Sequence, residues 1–275
     1  MDSIGQLSPS QTTGLLKSLG HEPVRKLGQN FLIDSNIVRK SLELAEVREG
    51  DNVVEVGPGL GTLTGALLAA GAKVYAVELD RRLYAHIEAS FGKNGNLKVI
   101  NADAVDFPQA GFDASEPFKV VANLPYAIST PWLDKILSGT LPSMMSLMLQ
   151  KEAAQRFSAV KNTHEFSPIS IFLNSAYDVK ESHKVSASCF YPRPKVDSIL
   201  LALKIKGKPF VFKPKTKEII RKIFLKRRKQ IASILKDLNE DGAKKWLECA
   251  SLFSPESRPE TIALKSWQEL NDFIQ

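Results

Sequence analysis

Val53-Val54-Glu55-Val56-Gly57-Pro58-Gly59-Leu60-Gly61-Thr62-Leu63-Thr64 decides how the rest of this chain is read. Four residues dominated by valine predict a buried parallel strand. They run directly into a turn with glycine at 57, 59 and 61 and one proline, after which Thr62 to Ala70 has the composition of a helix. Glycine in such a turn lets the backbone take positive φ and lets another molecule come close to the main chain. Strand, glycine turn and helix N-terminus in that order form the nucleotide corner of a doubly wound α/β fold. Working outward, strands at 53–56, 73–77 and 97–101 alternate with helices at 62–70 and 81–90, which predicts a parallel sheet covered by helices.

The spacing of the turn narrows the nucleotide. A dinucleotide fingerprint places its third glycine three positions after the second, whereas here it follows after two, with Glu55 just before the turn. That E-x-G-x-G-x-G form resembles the first motif of S-adenosylmethionine (SAM)-dependent methyltransferases. In that setting Gly57 and Gly59 admit the ligand to the main chain. The next strand ends in Glu78, 21 positions after Gly57, where a carboxylate can accept both ribose hydroxyls. Asp103, after the strand at 97–101, is placed to accept from an adenine amino group. Either acid alone is an ordinary helix N-cap. In register at successive strand ends, behind this turn, they read as one site.

Composition bounds the rest. A chain of 275 residues with 43% hydrophobic and 24% charged residues is of the soluble globular class and long enough for one large or two smaller domains. No apolar run approaches the ~18 residues of a membrane span. The first twenty residues lack the basic start and apolar centre of a signal peptide and are poor in arginine, so a cytoplasmic location is expected. The two cysteines, Cys189 and Cys249, and four scattered histidines have no ligand spacing, and no metal is expected.

The net charge of +7 is unevenly placed. Residues 1–205 hold 21 basic and 21 acidic side chains, and residues 206–275 hold 16 and 9, so the second stretch carries the whole excess. Lys206 to Pro214 reads as a linker, followed by helices. The expected division is therefore a catalytic α/β domain over 1–205 and a smaller, basic, all-helical domain over 206–275. Such a segment points to a polyanionic partner, most simply nucleic acid, with Lys222, Lys226, Arg227, Arg228 and Lys229 as candidate contacts.

Asn123-Leu124-Pro125-Tyr126 closes the predicted strand at 118–122. It resembles the (Asn/Asp)-Pro-Pro-(Tyr/Phe) motif of enzymes that methylate exocyclic amino groups of bases, and the chemistry explains the residue types. The lone pair of adenine N6 is delocalised into the ring, so the nitrogen is a poor nucleophile. Acceptors for both N6 hydrogens favour a tetrahedral nitrogen. The Asn123 side chain and the Leu124 carbonyl can supply them, with Pro125 stiffening the turn. Tyr126 offers a face on which a base can stack, worth ~1–3 kcal/mol, and Phe190 is the candidate for the opposite wall.

These segments, with Gln29-Asn30-Phe31-Leu32, Ser129-Thr130-Pro131, Gln150-Lys151-Glu152, Phe190 to Ser198, Arg227-Arg228-Lys229 and Arg258-Pro259-Glu260, resemble the KsgA family of small-subunit (16S) rRNA adenine N6,N6-dimethyltransferases nearly end to end. The resemblance implies a Rossmann-like sheet that binds SAM through Asn30, Leu32, Gly57, Glu78, Asp103 and Asn123. It implies as substrate two adjacent adenosines in a hairpin near the 3′ end of the rRNA, within a pre-ribosomal small subunit, and a monomeric protein. Two departures stand out: Ala127 where the family commonly has Asn, and a diverged loop at Lys161 to Phe166. Two other readings are a non-catalytic ribosome-assembly factor and an NAD-dependent oxidoreductase. The intact Glu78, Asp103 and Asn123 weigh against the first as a sole role, and the glycine spacing and basic tail against the second.

Overall fold

A computed structural model describes residues 8–24, 28–238 and 240–274. The sequence predicts a weak leading helix within 1–20 and a basic linker over His21 to Lys26, of which residues 1–7 and 25–26 lie outside the described residues. Two compact units are present, one within Met1–Ile136, Thr140–Ala154 and Val179–Ile205, the other within Leu137–Gly139, Gln155–Asp178 and Lys206–Gln275.

The first unit contains α1 (Pro9–Ser18), β1 (Phe31–Leu32), α2 (Ser35–Leu44), β2 (Asn52–Val56), α3 (Thr62–Ala69), β3 (Lys73–Glu78), α4 (Arg81–Phe91), β4 (Leu97–Asn101), β5 (Phe118–Asn123), α5 (Ser129–Ile136), β6 (Met144–Gln150), most of β7 (Tyr177–Val185), β8 (Phe190–Tyr191) and β9 (Ser198–Ile205). All five residues of β2 are buried, as a valine-rich strand between helical layers must be. The helices start where short polar side chains can take orphan N–H groups. Asp34 accepts from Asn36 and Ile37 at the head of α2, and Asp80 from Arg82 and Leu83 at the head of α4.

The main sheet runs β4-β3-β2-β5-β6-β9-β7. Pairings β2–β3, β3–β4, β2–β5 and β5–β6 are parallel, but β9 lies antiparallel to β6, from Met144↔Lys204 to Gln150↔Ser198. The sheet is thus mixed rather than wholly parallel, because the chain from β7 into β9 contains no crossover helix to bring it back in the same direction. The strand order reverses between β2 and β5. These two pair only from Asn52↔Phe118 to Val54↔Val120, so beyond that point their carboxyl ends part and open a crevice, the usual ligand position in such sheets. A second, two-stranded sheet joins Phe31↔Tyr191 and Leu32↔Phe190, a pairing too short to leave any periodicity in the sequence.

The second unit holds α7 (Pro168–Ala176), α8 (Pro214–Phe224), α9 (Ile231–Leu238), α10 (Asp241–Glu248) and α11 (Leu264–Phe273), with α6 (Lys151–Phe157) leading into it. The units change over between Ile205 and Lys206, but Leu137–Gly139 and Gln155–Asp178 also group with the C-terminal helices, so the second unit is more than the C-terminal segment. The reason is aromatic packing. Phe172 meets Phe212, Phe166 meets Phe224, and Phe224, Trp267 and Trp246 follow in a chain with centroids 5.4–5.7 Å apart. Lys217 is buried in this core, its ammonium donating to Ser138 Oγ at 2.6 Å and lying over the Phe172 ring at 4.9 Å.

Candidate active site

Four parallel strands of the first unit deliver their carboxyl ends to one cleft. It is lined by Glu55 and Val56 at the end of β2, Gly57 to Leu60 after it, Glu78 of β3, Asp103 after β4 and Asn123 of β5, together with Gly28 to Leu32 and Pro125, Ala127 and Ile128. Counted together with the open solvent at its mouth, the cleft encloses about 930 Å³. Its lining contains three acids, Glu55, Glu78 and Asp103, and no Lys, Arg or His among the described residues.

Gly57 and Gly59 sit at φ +67° and +59°, and a Cβ on them would lie 3.1 Å from Pro125 Cγ and 3.0 Å from the Phe31 ring, respectively. The loop is therefore glycine for conformation and for room at once. Glu78, 6% exposed, braces it: Oε2 accepts from the Gly59 N–H at 3.1 Å and Oε1 from the Asp80 N–H at 2.9 Å. A carboxylate has about four lone-pair directions, so two remain for hydroxyl donors of a ligand. Burial pushes this carboxyl upward from its ordinary range. Asn101 Nδ2 donates to the carbonyls of Glu78 and Leu79 and holds the strand end in place. Asp103 takes the Val105 N–H on Oδ1 at 2.8 Å.

Glu55 lies deepest, at 1% exposure. The Thr64 hydroxyl donates to its Oε2 at 2.7 Å, and Oε1 has no hydrogen-bond partner. Desolvation, with a smaller contribution from the Glu78 charge, pushes its pKa up to about 8, so the group carries a proton at neutral pH.

The turn after β5 is fixed at three points. Asn123 Nδ2 donates to the Asn30 carbonyl at 2.8 Å, which leaves Oδ1 as the end of the amide able to accept. The Leu124 N–H donates to the Met148 carbonyl on β6, and the Tyr126 hydroxyl shares a 2.9 Å hydrogen bond with Ser198 at the start of β9. Leu124 is buried and Tyr126 half-buried; neither lines the cleft, which their neighbour Pro125 does. No protein donor engages the Leu124 carbonyl among the described residues. An oriented amide oxygen and a backbone carbonyl held on a stiff turn can receive two N–H groups of an amine.

Of the expected site residues, Asn30, Leu32, Gly57, Gly59, Glu78, Asp103 and Asn123 all line the cleft. Phe190 does not. It is 2% exposed and sits in the core cluster with Leu32, Val121 and Met148, because pairing β8 to β1 turns its side chain inward. It offers no wall to a base. The basic candidates also divide. Lys222 is paired with Glu218 at 2.7 Å and Lys226 with Asp237 at 2.9 Å. Arg227 donates to the carbonyls of His164 and Phe166 and stands 3.9 Å from Glu260. Arg228 and Lys229 are exposed and make no ion pair among the described residues.

Sequence reasoning missed Gly28 and Ser198. Gly28 is at φ +67°, where a Cβ would come within 2.8 Å of the Tyr126 nitrogen. It also missed the clasp at Gln29, whose Oε1 accepts from the Val24 N–H and meets His21 Nε2 while its Nε2 reaches Asp80 at 3.5 Å. That clasp ties the segment before β1 to the residue two beyond Glu78. The Gly28 position was signalled by a glycine just before Gln29-Asn30-Phe31-Leu32; the partners of Gln29 had no local signal.

A glycine loop at the switch point, a buried acid one strand over, a second acid beyond it and an aminergic acceptor on the opposite side define a SAM-dependent methyltransferase. The glycine cradle, the spare lone pairs of Glu78 and a lining without cations fit an adenosine that carries a positively charged sulfonium. Among the described residues there is no group of three or more His, Cys, Asp or Glu side chains that could hold a metal ion, and no helix long and apolar enough to cross a membrane.

Residues 20–270 match the family described as ribosomal RNA adenine dimethylase. The chain is 54% identical to a ribosomal RNA small subunit methyltransferase A of Opitutus terrae over 96% of its own length and 98% of that protein's. It is 37% identical to the protein of the same name from Clostridium perfringens, over 98% and 97% of the two chains. A crystal structure of a dimethyladenosine transferase from Plasmodium falciparum superposes with a TM-score of 0.71 at 26% identity, covering 87% of this chain and 95% of that one. The chain belongs to the ribosomal RNA adenine dimethylase family, and it is a SAM-dependent enzyme that dimethylates adenine in rRNA.

Proposed function

We propose that this enzyme dimethylates N6 of two adjacent adenosines in a hairpin near the 3′ end of small-subunit rRNA, within a pre-ribosomal small subunit, and does so as a cytoplasmic monomer. The single observation that carries the amino-group chemistry is the Asn123 amide, turned by the Asn30 carbonyl so that its oxygen is presented as an acceptor. The choice of small-subunit rRNA rests on the relatives of that name, which match this chain over nearly its whole length.

When bound, SAM supplies a methyl group on a sulfonium. Asn30, Leu32, Gly57, Gly59, Glu78 and Asp103 would hold it, Glu78 through the ribose hydroxyls and Asp103 at the adenine. Asn123 Oδ1 and the Leu124 carbonyl take the two N6 hydrogens of a flipped adenine, which localises the nitrogen lone pair and aims it across the strand ends. Pro125, pressed against Gly57, sets the position of that carbonyl beforehand. Tyr126, its hydroxyl held by Ser198, presents a ring to the base and offsets part of the few kcal/mol needed to unstack it. No strong base is required, since an alkylated N6 sheds its proton to water. With one methyl in place N6 keeps a single hydrogen, so the second transfer uses one acceptor.

The test is methyl transfer from labelled SAM to small subunits from cells lacking the enzyme, followed by mapping of dimethyladenosine on the rRNA. Label confined to two neighbouring adenosines near the 3′ end is expected. Label elsewhere, or monomethyl product alone, would replace this reading.

A further inference from the structure

Resting on the reading of this chain as an RNA enzyme, we infer that the RNA-binding face of the second unit is a composite of two segments. One is the turn Leu225–Lys229 and the other the loop Val160–Glu165. Arg227 clasps them together, while Lys161, Arg228 and Lys229 meet the RNA backbone around an apolar contact at Leu225.

The argument starts from where Arg227 spends its donors. Nη1 donates to two carbonyls of the loop, His164 at 2.9 Å and Phe166 at 3.3 Å, and Nε faces Glu260 at 3.9 Å. Two of the five N–H donors are thus spent on the loop, and the direction of the guanidinium is set by the protein. The loop is fastened from a second side by the Asn162 N–H, which donates to the Glu260 carbonyl at 2.8 Å, and is rooted by Phe166, whose ring packs edge-on against Phe224 of α8. Loop and turn therefore form one rigid surface, although more than 60 residues separate them in sequence.

What remains on the outside of that surface is unusual. Leu225 is 84% exposed and Val160 61%, and the His164 side chain is 95% exposed. Lys161, Arg228 and Lys229 are exposed and make no ion pair among the described residues, while Lys222 and Lys226 are engaged by Glu218 and Asp237. Leu225 and Val160 lie uncovered beside cations that make no ion pair among the described residues, and the charge selects a polyanion. Cations grip phosphates without regard to sequence, and an apolar side chain can rest against a base or ribose face between them. Arg227 is thus a positioning residue, and the contact set extends to Lys161, in a loop that otherwise passes for plain surface.

The experiment measures binding of the full-length protein to a transcript of the 3′-terminal hairpin region of small-subunit rRNA across a range of salt concentrations. Methyl transfer is assayed in parallel. Lys161→Ala, Arg228→Ala and Lys229→Ala should each flatten the log–log salt dependence by up to ~0.7–0.9. Leu225→Ser should weaken binding with the slope unchanged. Arg227→Lys keeps the charge but loses the fork, so affinity should fall roughly tenfold, with the slope near wild type and faster amide exchange over 160–166. Arg227→Lys binding like wild type, with Arg227→Ala flattening the slope, would make Arg227 a direct phosphate contact and overturn the clasp. Lys161→Ala and Leu225→Ser both without effect would remove the loop and the apolar contact; neither side chain makes a polar contact among the described residues, so these two variants carry the test if Arg227→Lys unfolds the unit. A wild-type protein that binds the transcript in this way but methylates no small-subunit RNA would refute the proposed function and leave the surface standing.

Discussion

Glu55→Gln should raise the stability of the first unit at alkaline pH, against the usual expectation for a residue inside a binding motif. Glu55 is 1% exposed, holds one hydroxyl from Thr64 and has an oxygen with no partner. Its folded pKa of about 8 stands above the ordinary 4.5 because burial disfavours the charged form. Below pH 4.5 the carboxyl is protonated whether the chain is folded or not, and the group has no pH-linked effect. Between 4.5 and 8 the unfolded chain ionises while the folded one keeps its proton, so stability falls by about 1.4 kcal/mol per pH unit. Above 8 both forms are charged and the loss levels off at about 5 kcal/mol. Glutamine keeps the shape and the acceptor for Thr64 but does not titrate, at the expense of a buried N–H₂ that costs about 1–3 kcal/mol at all pH values. The stability difference between variant and wild type should therefore swing by about 4 kcal/mol in favour of glutamine from pH 5 to pH 8.5. Urea unfolding read through hydrogen exchange of the β2 and β3 amides measures it locally. Curves for the two proteins that stay parallel across this range would mean that Glu55 is ionised in the folded chain, and the burial argument would fail.

Asn123→Ala should lower turnover by roughly 10²–10³, as for loss of one oriented hydrogen-bonding group, while SAM titration changes little; turnover near wild type would remove Asn123 from the chemistry. Gly59→Ala forces a Cβ to 3.0 Å from the Phe31 ring at φ +59°, so SAM affinity should drop and stability fall by about 1–3 kcal/mol; calorimetry and thermal melts check both. Ser198→Ala frees the Tyr126 hydroxyl and should cost about 1 kcal/mol of stability with a several-fold loss of kcat/KM for RNA. An unchanged kcat/KM would show that Tyr126 needs no such support.

Local chemistry carried much of the fold into view. Valine runs, the glycine turn and acids at strand ends are short-range signals, and the α/β alternation they predicted is present from β2 through β4. Glu78, Asp103 and Asn123 could be placed on one cleft because parallel strands joined by helices bring their carboxyl ends to the same edge of the sheet. The Met144–Leu149 run forms a buried strand, being of strand length and apolar apart from Ser146.

What the residues alone could not decide depends on partners far away in the chain. The Asn123 amide is oriented by a carbonyl 93 residues earlier, and Tyr126 is held by a serine 72 residues later. The strand at 198–205 is antiparallel because of how the chain returns to the sheet, which hydrophobic pattern does not encode. Phe190 has the composition of a stacking residue, but its pairing with Leu32 buries it. Residues 155–178 join the C-terminal helices because their aromatic rings interlock there. Arg227 reads as one more cation in a basic run until its guanidinium is seen on two carbonyls. Sequence by itself determined the donor chemistry and the order of the strand ends, because both follow from local conformation and connectivity. Only the tertiary structure decided which side chains are free to act, because a hydrogen bond or a packed ring removes a residue from function without changing its name.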